Sequence, residues 1–171
     1  HRPALENFIR KQNPFVIALN TQKSLADELI DIRAACHPVR LLADCDEHAR
    51  LPQPLATPAS MLPADVQAAL AGKQLLDYGL CIHPQAFAFH ENFAQVPTSL
   101  VIAYALAIAT SGQCKSIYLA GFDGYSADDP RRQEGDKIFH AYQNAAGALP
   151  LLAITPTLYE LASTSVYSFN I

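Results

Sequence analysis

Apolar and polar positions alternate along the chain in blocks rather than in a steady rhythm. The first firm block is Phe15 to Asn20, an apolar run introduced by Asn13-Pro14 and closed by Asn20-Thr21, which predicts a strand. Leu25, Leu29, Ile32 and Cys36 recur at helical spacing, so the stretch from Gln22 to Cys36 predicts an amphipathic helix stopped by His37-Pro38. Val39 to Ala43 reads as a second buried strand, giving a strand-helix-strand unit whose crossover is right-handed if the strands are parallel. Leu51 to Pro63 holds prolines at 52, 54, 58 and 63 and no periodicity, and reads as a surface connection.

Pro63, Asp65 and Gly72 frame a short helix, and Lys73 to Ile82 contains a third strand. Ala86 to Phe89 reads as a short extra strand. Thr98 or Ser99 caps a helix that is apolar on every side and ends at Ser111-Gly112, the mark of a helix packed in the interior. Ser116 to Ala120 is the clearest strand. Asp129-Pro130 starts a helix through about Ala146, with Ile138, Phe139, Tyr142 and Ala146 on its buried face. Leu151 to Thr155 is a final parallel-type strand, and Ser165 to Phe169 an edge strand. The pattern predicts a three-layer α/β, Rossmann-like fold of about five mostly parallel strands, in one domain spanning residues 1–171.

Composition narrows the classes. Half the residues are hydrophobic and 16% are charged, which excludes disorder and suits buried parallel strands. The net charge of -4 is dispersed, and the only basic run is Arg131-Arg132, so nucleic acid is not an expected partner. The longest apolar run, Leu100 to Ala109, falls well short of a bilayer span, and the N-terminus has no signal-peptide pattern, so no membrane partner and a cytoplasmic setting are expected. Cys36, Cys45, Cys81 and Cys114 are widely spaced and read as free thiols. The opening His1-Arg2-Pro3, without an initiator Met, reads as the start of a domain cut from a longer protein.

Candidate chemistry concentrates after the strands, where parallel sheets place ligands. Those positions carry Asn20-Thr21, Asp44, Gly121-Phe122-Asp123-Gly124 and Thr155-Pro156-Thr157. Gly121 and Gly124 permit close approach of a ligand, and the Asp123 carboxylate could accept from a sugar hydroxyl; the alternative is a turn that Asp123 caps for itself. Thr98 and Ser99 open the apolar helix, where free N–H groups suit an anion as well as ordinary capping. Thr155, Thr157, Ser163, Thr164 and Ser165 supply hydroxyls for sugar contacts or for turns. Arg131 and Arg132 could clamp a phosphate, but a solvated ion-pair cluster with Asp128 and Asp129 is the preferred reading.

Asp44, Asp46, Glu47 and His48 read as a short surface helix, because no second ligand motif of fixed spacing accompanies them, and no metal site is expected. His83 and His90, beside Phe87, Phe89 and Phe93, read as structural. The chain contains no GxGxxG, GxxxxGK[ST] or GxSxG.

Taken together, His37-Pro-Val-Arg-Leu-Leu-Ala43, Leu100-Val-Ile-Ala-Tyr-Ala-Leu-Ala-Ile-Ala109, Ile117-Tyr-Leu-Ala-Gly-Phe-Asp-Gly-Tyr125 with Asp128-Asp-Pro-Arg131, and Ile154-Thr-Pro-Thr157 give the chain a family likeness. From about Asn13 to Tyr167 it resembles the C-terminal region of the 4-hydroxy-2-oxovalerate aldolase-like proteins of bacterial O-antigen and capsule gene clusters. The resemblance implies a C-terminal accessory domain in surface-polysaccharide (lipopolysaccharide) synthesis that binds a sugar or nucleotide-sugar. It also implies a partner, an N-terminal lyase domain of TIM-barrel type in the same chain, which holds the divalent metal and the aldolase activity; no cofactor is implied for the present residues. The stretch Ile117 to Asp123 is also similar to small bacterial sialyltransferases. The rival expectations are accordingly a glycosyltransferase with a His base, and a module for homo-oligomerisation or docking.

Overall fold

The structure, a computed structural model, describes residues 1–84 and 86–169. Helix α1 (Arg2–Gln12) carries proline in its first turn, Arg10 and Lys11 in its last, and ends at Asn13 in the left-handed conformation (φ 48°). These are ordinary start and stop signals, and Leu5, Phe8 and Ile9 supply its apolar stripe, so the helix has its own local causes in the sequence. Strand β1 (Ile17–Leu19) follows as expected.

The predicted helix from Gln22 to Cys36 does not form. Residues Asp27–Leu29 make one 3-10 turn, and Ile32–Ala34 form strand β2, parallel to β1 with Ile17 opposite Ile32. The helical spacing is accidental: Leu25 and Leu29 pack with α1, whereas Cys36 packs in a different cluster around the later apolar helix. Val39 to Ala43 is likewise corrected from strand to helix α2 (Pro38–Ala43), which Pro38 opens from its first turn. Val39 is 71% exposed and only Leu41 of this helix is buried, a one-sided burial no interior strand would show. Helix α3 (Cys45–Arg50) comes next.

The proline-rich connection conceals strand β3 (Leu55–Thr57), wholly buried between β2 and β4 (Leu75–Asp77). A single 3-10 turn (Ala59–Met61) and helix α4 (Ala64–Ala69), with Pro63 at its N-cap, connect them. All four strands are parallel and ordered β1-β2-β3-β4. The stretch from Lys73 to Ile82 is therefore two strands, because β5 (Gly79–Ile82) leaves that sheet and pairs with β7 (Phe93–Val96), itself antiparallel to β6 (Ala88–Phe89). Of the extra strand expected over Ala86 to Phe89, the last two residues form β6.

Helix α5 (Val101–Ser111) is the interior helix anticipated, but neither Thr98 nor Ser99 caps it; Leu100 is the N-cap and no side chain bonds there. Strand β8 (Ile117–Leu119) and β9 (Leu151–Ala153) form a parallel pair, linked by α6 (Pro130–Gln143), whose N-cap Asp129 accepts from the Arg131 amide at 2.9 Å. Helix α6 ends before Ala146, which is exposed. The expected edge strand from Ser165 to Phe169 is a 3-10 turn (Val166–Phe169) whose Val166 packs on Phe8 and Ile9.

The described residues thus form a mixed α/β structure with one four-stranded parallel sheet and two smaller sheets. Adjacent residues at the end of β2 show how it is filled: Ala34 packs into the cluster of Tyr104, Leu106 and Tyr142, and Ala35 into that of Leu41, Leu55, Val66 and Leu70. Buried on both sides, β2 and β3 need no alternation of apolar and polar positions. Among the described residues, no helix is long and apolar enough to cross a membrane.

Candidate functional site

The loop after β8 is built by its two glycines. Gly121 and Gly124 have φ of 76° and 87°, a region that side-chain-bearing residues avoid. A Cβ on Gly124 would also lie 3.0 Å from Leu158 Cβ, so the loop is seated directly on the segment following β9. Two hydrogen bonds join them: the Gly121 amide donates to Thr155 Oγ1 at 2.9 Å, and the Leu158 amide to the Asp123 carbonyl at 2.8 Å. Gly121, Asp123, Gly124 and Thr155 therefore come together as one unit. The Asp123 side chain is exposed and accepts no hydrogen bond, so it does not cap its own turn.

Asn20 ends β1 in the left-handed conformation (φ 51°), with its amide on the Ala34 carbonyl at 2.8 Å. Its carbonyl is held by a residue the pattern reading missed. Arg33, central in β2 and 0% exposed, donates from Nη1 to the Gln22 and Asn20 carbonyls (2.7 and 3.3 Å), from Nε to Gln53 Oε1 (2.8 Å) and from Nη2 to Asp27 Oδ1 (3.3 Å). Burial pulls its pKa below the usual arginine range, and the Asp27 carboxylate opposes that pull. An arginine inside the run Ile30 to Cys36 was the available signal; assigning that run to an exposed-faced helix hid it. No hydrogen bond joins Asn20 to Asp123 or Thr155.

Thr98 and Ser99 stand beside the end of β2, since the Cys36 thiol donates to the Ser99 carbonyl at 3.2 Å. With no capping side chain on Leu100, the amides of Val101 and Ile102 at the start of α5 have no intrahelical acceptor. These free donors stand beside the end of β2, and the Asp123 carboxylate beyond the end of β8 in the separate two-stranded sheet.

The other candidates resolve into structural roles. Arg131 makes the expected ion pair with Asp129 in bidentate form (2.6 and 3.0 Å) and lies over the Tyr125 ring at 4.2 Å, whereas Arg132 pairs with Asp136 at 3.7 Å rather than with Asp128 or Asp129. Hydrogen bonding from Arg131 holds the Asp129 carboxyl below its usual range. Thr157 and Ser165 accept from the Tyr159 and Tyr167 amides, closing local turns. His90 stacks on Phe93 with centroids 4.1 Å apart. Asp44, Asp46 and Glu47 lie on or beside the short helix α3 as anticipated, but His48 is 1% exposed and neither ring nitrogen has a partner. No group of three or more metal-ligating side chains occurs among the described residues.

No protein-family model, no curated protein and no solved structure matches this chain.

Proposed function

We propose that this chain is a Rossmann-like, three-layer ligand-binding domain, the C-terminal accessory part of an aldolase-like protein in surface-polysaccharide synthesis, taking a sugar or nucleotide-sugar at the carboxyl ends of its parallel strands. The sequence resemblance supplies the biological setting. The observation that carries the binding reading is Asp123: an exposed carboxylate without an intramolecular partner, on a loop held open by two left-handed glycines and anchored to Thr155. Such a carboxylate suits a ribose or sugar hydroxyl, and the free amides at the start of α5 suit a phosphate. Asn20 and Ser99 lie at the ends of β1 and β2, in the separate four-stranded sheet, and Thr98 precedes Ser99. Separate packing of Ala34 and Ala35 into helical clusters supports the layered architecture.

Calorimetric titration with sugar nucleotides tests this reading. Asp123→Ala should weaken the best of them by about 1.5–3 kcal/mol, the range for a hydrogen bond to a charged group, and leave the melting temperature unchanged. Unaltered affinity in that variant, or no sugar nucleotide bound at all, would remove Asp123 from any such site. Aldol cleavage belongs to the partner domain of the same chain in this scheme, so these 171 residues with added divalent metal should release no pyruvate from a 4-hydroxy-2-oxo acid.

A further inference from the structure

A cavity of about 320 Å³ opens at the carboxyl end of β9. Its two walls run side by side, since the Thr164 amide donates to the Ala153 carbonyl and the Val166 amide to the Ile154 carbonyl, both at 2.8 Å. Residues 155–157 form one wall and 163–165 the other, with Ile154 and Pro156 as the apolar surface between them. At this volume it sits at the small end of ligand pockets, which run from about 300 to 1,000 Å³, enough for one ring and too little for a dinucleotide.

Five hydroxyl-bearing residues line this space, and the hydrogen bonding of their side chains is incomplete in a consistent way. Thr155, Thr157 and Ser165 each accept from a backbone amide, at 2.9, 3.2 and 3.3 Å, so each keeps its own proton to donate. Ser163 and Thr164 side chains have no protein partner and can both donate and accept. Among the described residues no Lys, Arg, Asp or Glu lines the cavity, and His1 contributes its imidazole and its α-amino group. A polyol entering here exchanges hydrogen bonds with water for equivalent ones with these hydroxyl groups, and no carboxylate among the described lining residues competes for them.

We infer that the cavity seats an uncharged sugar ring, the glycosyl half of the ligand whose nucleotide half lies against the Gly121–Gly124 loop. Thr155 belongs to both, receiving the Gly121 amide while lining the cavity. The inference rests on the binding reading proposed above and specifies which part of the ligand is neutral and where it goes.

Amide chemical shifts of the whole chain, titrated separately with the common aldohexoses and N-acetylhexosamines, with UDP and CMP, and with inorganic phosphate, test it. At least one free sugar should move Thr155, Ser163 and Thr164 while phosphate leaves them in place. Ser163→Ala combined with Thr164→Val should weaken that sugar about tenfold or more without lowering the melting temperature. Failure of every sugar to move these amides, a response to phosphate alone, or equal sugar affinity in the double variant overturns the inference. Nucleotides that move Gly121 and Val101 while no sugar moves Thr164 would overturn it and leave the binding edge standing. A sugar that moves Thr164 with no nucleotide effect at Gly121 would keep the cavity and overturn the joint ligand and the binding edge.

Discussion

Thr155 Oγ1 receives the backbone amide of Gly121 at 2.9 Å, so the loop after β8 is fixed by a side chain on the loop after β9. Thr155→Val keeps the shape and deletes the acceptor. Because Gly121 is exposed, water can replace the lost partner, and the expected cost is only about 1 kcal/mol in urea unfolding. The local effect should be larger: the Gly121 amide should lose its protection from hydrogen exchange, and Thr155→Ser should restore it. Unchanged exchange at Gly121 in the valine variant would mean that something else holds the loop.

Gly135 in α6 faces the Tyr159 ring, and a Cβ added there would lie 2.4 Å from Cε1. Replacing glycine by alanine inside a helix ordinarily stabilises by about 1 kcal/mol. Here the ring cannot retreat freely, since Tyr159 packs edge-on against Phe139 at 5.1 Å and follows Leu158, on which Gly124 is seated. Overpacking costs about 1–3 kcal/mol, so Gly135→Ala should be net destabilising. In a Tyr159→Ala background the same change should become stabilising, and thermal melts of the four proteins would show whether the sign reverses.

His48 gives the protein a defined acid sensitivity. Burial without a partner pushes its pKa below the usual value near 6.5; Lys73 and Arg33 push the same way, against the Asp44 and Glu47 carboxylates. The neutral ring is thus the form the fold accepts. Below about pH 6.5 the unfolded chain binds a proton that the folded chain does not, so stability is full above that pH and falls on acidification, by up to about 1.4 kcal/mol per pH unit from this group. His48→Leu should flatten the urea-unfolding profile between pH 7 and pH 5. A slope equal to that of the parent protein would show that His48 does not carry it.

The four cysteines are free and differ sharply in access. Cys81 is exposed, whereas Cys36 is buried with its thiol pushed up to about 12 by desolvation. At pH 8 the native protein should be alkylated first at Cys81 and last at Cys36, which should react only as the protein unfolds. Denatured, unreduced protein should take up four groups. Mass spectrometry reads both, and early labelling of Cys36 would contradict the packing of the end of β2 against α5.

Several elements could be read from the chain alone because each carries its own local cause. β1, β8 and β9 are apolar runs closed by polar turn residues, α5 is apolar all round, and α6 starts at an Asp-Pro cap. The glycines flanking Asp123 announced its loop in the same way. What only the tertiary structure decided lies mostly between residues 22 and 63, with the splitting of residues 73–82 between two sheets and the turn at Val166–Phe169 beside it. β2 and β3 are short parallel strands buried on both faces, so nothing in their own sequence distinguishes Ile-Arg-Ala or Leu-Ala-Thr from a piece of helix or connection. Their neighbours in the sheet make that choice, and the same burial turns Arg33 from an apparent surface charge into the post holding the loop at Asn20. His48 likewise lies on a short helix with a charged, exposed sequence, yet α3 turns its ring inward. Periodicity reports one-sided burial; where burial is two-sided, or where one polar residue of a short helix faces inward, only the assembled sheet and its covering helices contain the information.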